Sequence, residues 1–422
     1  MKAMVLTIWG RHHEKFIIMA DQAIVSGSNF LIGILISKLL GLEDLGVYAF
    51  AWMVLMMCSS LQQNFISIPM VNKYVAFQEG QSSQYLNKLF IVQVGVSLLL
   101  SMILFLLILI PLQIKFFDTL DHLVYVLPFL IFSFLMQDFT RRIFILKGEL
   151  FKLLLADLLV NWSQVVFLII FVNRNELTLM HILVFFTISY SVGFSFAIPD
   201  YFKKRISFKG ISDISSQHWV TAKWLLASAI LQWFAGNYFI ISAGTTLGTE
   251  SAGIIRIAQS LVGVMNIFFI ALEFYVPPKA AIIYQKNGKK ALIHYITRIT
   301  FFGTLLCLLF TGVLIFTSGS ILTFLYGSNY EQYNTIIIAF SAFYIIVFLS
   351  YPLRFVLRAM NNMKDMFWAY LCATLFSMAL SGYMVRKYEI WGVIAGLALT
   401  QLIMQIWYIQ AIIFAKPKTI EQ

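Results

Sequence analysis

The chain has 422 residues, of which 60% are apolar and only 12% are charged, and its formal net charge is +11. A soluble domain is about half apolar and about a quarter charged, so this composition indicates a polytopic membrane protein and excludes a sizeable soluble domain. In a membrane protein, a basic excess must first be compared with the charge of the cytoplasmic loops before it is taken to indicate nucleic-acid binding.

Long apolar runs predict twelve transmembrane helices, because each run supplies about the 20 residues that cross a bilayer. In chain order the predicted helices cover residues 17–40, 45–70, 87–110, 119–140, 151–172, 178–199, 219–243, 249–276, 296–318, 332–352, 364–385 and 389–414. Continuous runs of this length argue against a transmembrane β-barrel, whose strands alternate over about ten residues. The predicted fold class is therefore an all-α polytopic membrane protein.

An internal repeat divides the chain into two halves. A pattern of glycine and glutamate occurs twice at one constant offset, as Gly41, Glu43 and Gly46 and again as Gly248, Glu250 and Gly253. Each copy follows one apolar segment, opens the next after a tight acidic turn, and ends near proline. The repeat predicts two pseudo-symmetric lobes of six helices, residues 1–205 and 206–422, joined near residues 200–218.

The basic residues are unevenly divided between the two sides of this topology. With the N-terminus inside, the cytoplasmic segments hold 23 lysines and arginines, among them Arg141, Arg142 and Arg354. The external loops hold only Lys115, Arg174, Arg386 and Lys387. Basic residues collect in cytoplasmic loops, so the bias predicts that both termini are cytoplasmic. It also accounts for the net charge, and we expect no nucleic-acid partner.

Histidine and cysteine give no sign of a catalytic or metal centre. The six histidines lie in tails or at the ends of predicted helices, and the three cysteines are widely separated within apolar segments. The short external loops leave no room for a soluble catalytic domain. These observations disfavour a membrane-embedded enzyme such as a glycan polymerase or acyltransferase, and no cofactor or metal is expected. Function is expected to lie between the helices.

Polar residues on the first and fifth helices are the first candidates for a site in the membrane, because such residues are costly there and usually face a cavity or the bundle interior. Asp157, Asn161 and Gln164 fall within an arc of about 60° on the fifth helix. On the first helix, Asp21 and Asn29 belong to a polar arc of about 120°. These faces predict a hydrated cavity.

The eighth helix carries a further polar face with an arginine in an apolar run. Arg256, Gln259, Ser260, Asn266 and Glu273 fall within an arc of about 140°. An arginine stays charged and can bond two phosphate oxygens at once, so Arg256 suits an anionic headgroup.

Purely structural roles compete with these functional ones. Arg256 lies about 8 Å below the outer end of its helix, so its side chain can extend to the interface. Glu273 lies near the cytoplasmic end and can pair with Lys279 or Arg354. Asp138 can pair with a neighbouring arginine.

Two short runs carry a resemblance to a known family. The run SKLLGLEDLGVY, residues 37–48, resembles the junction of the first two helices in Wzx-type polysaccharide flippases. The run AGIIRIAQSL, residues 252–261, resembles the matching place in the second half. These flippases belong to the MOP superfamily, together with the MATE multidrug antiporters and the lipid II flippases. Two positions depart from the family pattern: Lys38 stands where arginine is more frequent, and Leu45 where an aromatic residue is common.

The resemblance implies a function and a location. It implies two six-helix lobes around a V-shaped cavity, and flipping of a polyprenyl-diphosphate-linked oligosaccharide repeat unit by alternating access. The unit would move from the cytoplasmic to the periplasmic leaflet of the bacterial inner membrane, for assembly of O-antigen or capsule. Membrane lipid, the glycan polymerase and the chain-length machinery are the implied partners.

The resemblance also assigns roles to residues. The family uses basic cavity residues for the diphosphate, and Arg256 matches such a position. The expected headgroup-binding set is Arg256, Gln259, Asn266, Asn29, Asn161 and Gln164. Asp21, Asp157 and Glu273 are the candidates for coupling to H⁺ or Na⁺. The alternative function is a MATE-like cation-coupled multidrug antiporter that uses the same three carboxylates.

Overall fold

The computed structural model describes residues 2–74, 81–109, 125–171, 177–196 and 210–415, together with Leu120 and Leu123. Helices and turns make up these ranges, which contain no strand. The all-α fold class is therefore confirmed. Part of the predicted fourth helix, most of the connection at 200–218 and the lobe boundary at 205/206 lie outside the described residues.

The first helices of the chain form a compact unit, Met1–Ala229. They are α1 (Lys2–Gln62), a π-helical turn (Gln63–Ser67), α2 (Ile68–Tyr74), α3 (Gln81–Leu109), α4 (Leu127–Lys147), α5 (Leu150–Ile170) and α6 (Leu179–Ser195). Their shared core is apolar and aromatic, and includes Ile66, Leu89 and Phe139. The start of α7 (Ile211–Leu247) packs against this core.

The remaining helices form a second compact unit, Ile230–Gln422. They are the rest of α7, then α8 (Thr249–Val262), α9 (Met265–Tyr326), a 3₁₀ turn (Ser328–Tyr333), α10 (Asn334–Ala359) and α11 (Met363–Phe414). The core of this unit includes Leu292, Phe355 and Tyr408. The contact boundary between the units thus falls inside α7.

Seven helical stretches of the described chain are long and apolar enough to cross a membrane. Three of them run for 52 to 62 residues, far more than the roughly 20 that one crossing needs. Each of the three is broken by one residue outside helical geometry: Gly41 in α1, Gly288 in α9 and Glu389 in α11. Each is therefore long enough for more than one membrane crossing.

The two glycines that indicated the repeat adopt nearly the same backbone conformation. Gly41 has φ 89° and ψ −174°, and Gly248 has φ 100° and ψ 161°. This region is strained for any residue with a Cβ, so both turns require glycine.

A second repeat appears at the turn after α4, and its offset is 213 residues. Gly148 ends α4 with φ 71°, and Asn361 follows α10 with φ 55°. The amide of Gly148 donates to the carbonyl three residues earlier at 3.1 Å, and that of Asn361 does the same at 3.0 Å. The next amide donates five residues back in both cases, at 2.8 and 2.9 Å. This pattern is a Schellman motif, and it occurs twice.

The α4 helix differs from its predicted range of 119–140. It begins at Leu127 and continues through Arg141 and Arg142, which were assigned to a cytoplasmic loop, as far as Lys147. A hydropathy window ends at two successive charged residues, but in the structure each of these arginines has a carboxylate partner. The charges therefore do not end the helix.

The region between the predicted eighth and ninth helices also differs from expectation. The eighth helix was expected to run unbroken over 249–276, but it is interrupted at Gly263 and Val264. The basic stretch that follows, expected as a loop, is helical on both sides of Gly288. Lys279 lies 5.3 Å from the centre of the Tyr295 ring, and Lys289 donates to carbonyls at the end of α11. These contacts stabilise the two lysines as helical residues.

His218 fixes the start of α7 to the first unit. The ring is fully buried, with Nδ1 at 3.0 Å from the carbonyl oxygen of Phe65 and Nε2 at 2.8 Å from the hydroxyl of Tyr85. A carbonyl can only accept, so Nδ1 carries the proton and Nε2 of the neutral ring accepts from Tyr85. Sequence reasoning placed this histidine at a helix end without a role.

Candidate functional site

The first unit holds a buried cluster of one arginine and two aspartates. Arg141 of α4 donates through Nε to Asp157 of α5 at 2.5 Å, and through a terminal nitrogen to Asp21 of α1 at 3.0 Å. Both carboxylates are almost completely buried, and the arginine side chain is 24% exposed. Three helices are thus joined by one guanidinium. We call Asp21, Arg141 and Asp157 the acidic cluster.

Neutral amides complete the surroundings of the acidic cluster. Gln137 donates to the second oxygen of Asp157 at 3.3 Å, and Asn161 donates to the backbone carbonyl of Asp157 at 2.8 Å. Gly193 of α6 lies against Gln137, at a place where a Cβ would collide. The Oδ1 atom of Asp21 is buried and has no hydrogen-bond partner in the described part of the chain.

The acidic cluster carries a net charge that favours the binding of a cation. Two carboxylates and one guanidinium carry a formal charge of −1. A buried charge without compensation is costly, so a proton or a small cation at the carboxylates would be stabilised there. The structure thus brings together two of the three residues predicted for ion coupling. Asp138 is separate from them and pairs with Arg142 at 2.9 Å, as expected of a local ion pair.

The other predicted polar residues of the first unit differ in burial. Gln164 is fully buried, and its amide interacts with the hydroxyl of Tyr190. Asn29 is partly exposed on α1, and no described hydrogen bond connects it to the acidic cluster. Of the predicted first-unit set, only Asn161 therefore contacts the cluster directly.

In the second unit, Arg256 lies on α8 near two tyrosines. It is half-buried, and its charge acts on the hydroxyls of Tyr326 and Tyr344. The side chain of Asn266, at the start of α9, also interacts with the Tyr344 hydroxyl. Gln259 is partly exposed one turn along α8 from Arg256. A guanidinium, an amide and phenol groups thus lie within one neighbourhood, which we call the Arg256 site.

Glu273 contacts a different partner from those expected. Its carboxylate lies 3.7 Å from Arg358 of α10, and both side chains are more than a third exposed. The predicted partner Lys279 instead lies over a tyrosine ring. The other predicted partner, Arg354, interacts electrostatically with Glu273, but within the described range 210–415 the two form no ion pair. Its guanidinium stacks on Tyr351, and its Cζ atom lies 4.2 Å from the centre of that ring.

Two arginines that sequence reasoning assigned to cytoplasmic segments are helical residues with structured surroundings. Arg141 and Arg354 lie inside α4 and α10, so Arg256 is not alone in being an arginine within an apolar helix. The spacing that relates them is visible only in the structure, because each precedes a positive-φ residue by seven positions, and that residue is Gly148 in one case and Asn361 in the other.

These features define a multi-pass, all-helical membrane protein with charged side chains inside each of two compact units. Its sequence matches no protein-family model. No curated protein matches it either.

Several solved structures are nevertheless similar to it. An inward-facing multidrug resistance MATE family transporter of the MOP superfamily gives a TM-score of 0.70 at 13% identity, over 93% of this chain and 94% of that chain. The lipid II flippase MurJ, inward closed, also gives 0.70 at 13%, over 93% and 86%. A MOP superfamily transporter from Pyrococcus furiosus gives 0.58 at 14%, over 94% and 96%. The chain therefore has the fold of MOP superfamily transporters.

Proposed function

We propose that the protein is a flippase for a polyprenyl-diphosphate-linked oligosaccharide, which it moves from the cytoplasmic to the external leaflet by alternating access. The observation that carries the proposal is the Arg256 site. It places a permanent cation beside amide and phenol groups in a chain that is otherwise strongly apolar.

The chemistry of such a cargo fits this site. A guanidinium can bond two oxygens of a diphosphate at once, and amides and tyrosine hydroxyls bond sugar hydroxyls. The headgroup cannot cross hydrocarbon without a large desolvation cost, whereas the lipid tail can stay in the bilayer throughout. The expected contacts are Arg256, Gln259 and Asn266 in the second unit, with Asn29, Asn161 and Gln164 in the first.

The fold similarity supports a lipid-linked cargo. The similar structure of MurJ is that of a lipid II flippase. Assembly of a surface polysaccharide at the bacterial inner membrane, with a glycan polymerase and chain-length proteins as partners, belongs to the same proposal.

The acidic cluster is the proposed place of ion coupling. Its formal charge of −1 favours binding of H⁺ or Na⁺ at Asp21 or Asp157. The unpartnered oxygen of Asp21 can accept either ion. Glu273 remains the third candidate, but it is paired with Arg358, and its side chain is more than a third exposed.

Flipping can be measured in proteoliposomes that contain a short polyprenyl diphosphate carrying a fluorescent oligosaccharide. A membrane-impermeant reductant bleaches only the outer leaflet, so the slow bleaching phase reports transfer. We expect Arg256→Ala to slow this phase at least tenfold, and Arg256→Lys to slow it less. Arg298→Ala, an exposed arginine on α9, is the matched control and should leave the rate unchanged. Wild-type rates for Arg256→Ala would refute the headgroup role.

The alternative, a cation-coupled multidrug antiporter, is supported by the TM-score of 0.70 to a MATE transporter. The same vesicles distinguish the two functions when they are loaded with a fluorescent organic cation and given an H⁺ or Na⁺ gradient. Gradient-driven movement of the dye that is lost in Asp157→Asn and kept in Arg256→Ala, with no lipid transfer, would establish the alternative.

A further inference from the structure

The second repeat relates Arg141 to Arg354. Each arginine lies seven residues before the positive-φ residue that closes its Schellman motif, Gly148 in the first unit and Asn361 in the second. The helices that follow, α5 and α11, begin at the same offset of 213 residues. The two arginines therefore occupy equivalent positions in the fold.

The carboxylate partner of the first unit is missing from the second. The position equivalent to Asp157 is Tyr370, at the same offset. The next positions of the polar face keep their character, because Thr374 and Ser377 are buried and polar, as Asn161 and Gln164 are. The second unit thus has the arginine and the polar face but not the acid.

The surroundings of Arg354 leave hydrogen-bonding capacity unused. The guanidinium stacks on Tyr351, and the hydroxyls of Tyr370 and Tyr408 act on its charge. Its Nε atom is buried and has no hydrogen-bond partner among the described residues. The hydroxyl of Tyr408, also buried, interacts with the hydroxyl of Tyr370. Buried donors of this kind are normally satisfied, so the arrangement is incomplete as it stands.

The charges of this region have the opposite sign to those of the acidic cluster. Arg354 and Arg358 lie one turn apart on α10, and Glu273 supplies one carboxylate at 3.7 Å from Arg358. Two guanidinium groups against one carboxylate leave a formal charge of +1. An anion would compensate that charge and accept from the unpartnered Nε of Arg354.

We propose that Arg354 and Arg358 form a phosphate-binding site in the second unit, distinct from the Arg256 site, and that it takes the phosphate or diphosphate of a lipid headgroup. The lipid source rests on the proposed function, whereas the affinity for phosphate does not. Tyr370 and Tyr408 line this site and donate to the phosphate oxygens. We call these four residues the tyrosine–arginine site.

The repeat itself supplies the test. Tyr370→Asp installs the missing carboxylate of the first unit beside Arg354, and Tyr370→Asn is matched in size without the charge. Binding of inorganic diphosphate to the purified full-length protein is measured by titration calorimetry, and retention of undecaprenyl phosphate by native mass spectrometry. We expect Tyr370→Asn, which loses the phenol but keeps a donor, to bind a few-fold more weakly than wild type, and Tyr370→Asp to bind at least tenfold more weakly than Tyr370→Asn. Equal affinity of the two variants would overturn the site.

A second variant keeps the test valid if substitution of the buried Tyr370 prevents folding. Arg358→Gln changes a side chain that is 37% exposed, and it should weaken diphosphate binding about tenfold while the protein stays monodisperse. Wild-type affinity in this variant would also overturn the site. Retention of the lipid without affinity for inorganic diphosphate would show that the headgroup is recognised only on its lipid, and failure of both probes with wild type would refute the proposal.

The two proposals fail separately in these experiments. Loss of lipid flipping in Arg256→Ala, together with equal affinities of Tyr370→Asp and Tyr370→Asn, would leave the flippase in place and remove the tyrosine–arginine site. Charge-dependent diphosphate binding without any lipid transfer in vesicles would keep the site and remove its lipid ligand.

Discussion

The Nε atom of Arg141 lies 2.5 Å from a carboxylate oxygen of Asp157, and this contact explains the course of α4. A helix that carries two successive arginines was expected to end before them. Because Arg141 turns toward two buried aspartates while Arg142 pairs with Asp138 one turn back, the helix continues to Lys147.

Arg141→Gln should destabilise the first unit strongly. Removing the guanidinium leaves the buried charges of Asp21 and Asp157 without a partner, and breaking a buried pair in this way costs about 3–5 kcal/mol. The apparent Tm in detergent should fall by many degrees, or the protein should fail to accumulate.

Arg142→Gln is the control for that change. Its ion pair with Asp138 is an i, i+4 contact with a side chain 31% exposed, and such pairs contribute about 0.5 kcal/mol. The double variant Arg141→Gln with Asp157→Asn should recover part of the lost stability. Equal Tm values for the two single variants would contradict the assignment of the acidic cluster.

The stability of the first unit should fall on acidification through His218. Burial lowers the pKa of His218 from its ordinary 6.5; the hydrogen bond to the Phe65 carbonyl opposes this shift and the charge of Lys73 adds to it. Below pH 6.5 the unfolded chain takes up a proton that the folded ring resists, so stability present above pH 6.5 is lost as the pH falls toward the folded pKa. The slope cannot exceed about 1.4 kcal/mol per pH unit for one group.

The measurement is the apparent Tm of the wild type and of His218→Gln between pH 7.5 and 5.5. The glutamine variant should be less stable at pH 7.5, because it cannot reproduce both contacts, to Phe65 and to Tyr85. Its Tm should also depend less on pH. Parallel curves for the two proteins would remove His218 as the cause.

Alanine at either repeat glycine should be destabilising because of backbone conformation alone. Gly41 and Gly248 have nothing near the position of an added Cβ, but their φ values of 89° and 100° are strained for alanine. The expected cost is about 1–3 kcal/mol at each.

Gly27→Ala is the matched control. Gly27 is a helical glycine of α1 that also has open space at its Cβ, so alanine there should be neutral or should stabilise by up to about 1 kcal/mol. A similar loss of Tm in all three variants would show that the turns do not demand glycine.

Gly396→Ala should disturb the packing of α11 against α7. An added Cβ would collide with the ring of Phe239, which is fully buried, so the ring must move. Overpacking of this kind costs about 1–3 kcal/mol. Gly312→Ala, where nothing lies near the added atom, should not lower the Tm. Unchanged stability of Gly396→Ala would mean that the ring has room to shift.

Sequence patterns predicted those parts of the fold and site that depend on local chemistry. The glycines at 41 and 248 were identifiable because a strained turn admits only one residue type. The face of Asp157, Asn161 and Gln164 was identifiable because polar side chains within a membrane rarely lie at random. All three proved to be buried in the structure.

Sequence patterns could not predict ion pairs between residues that are far apart in the chain. Arg141 was assigned to a loop because its partners are 16 and 120 residues away, and hydropathy counts every charge as unpaired. Arg354 was overlooked for a related reason: the equivalent of its acidic partner is a tyrosine, so only the turn geometry reveals the relation.

The one-residue break at Gly41 also bears on how the chain enters the bilayer during synthesis. No loop separates the helical segment that carries Asp21 from the one that follows the break, so both reach the translocon as one hairpin. An aspartate opposes insertion of a lone segment by about 3 kcal/mol at its centre and by less near an end, where Asp21 lies. Entry as a hairpin lets the second segment offset that penalty, before Arg141 has left the ribosome to neutralise it.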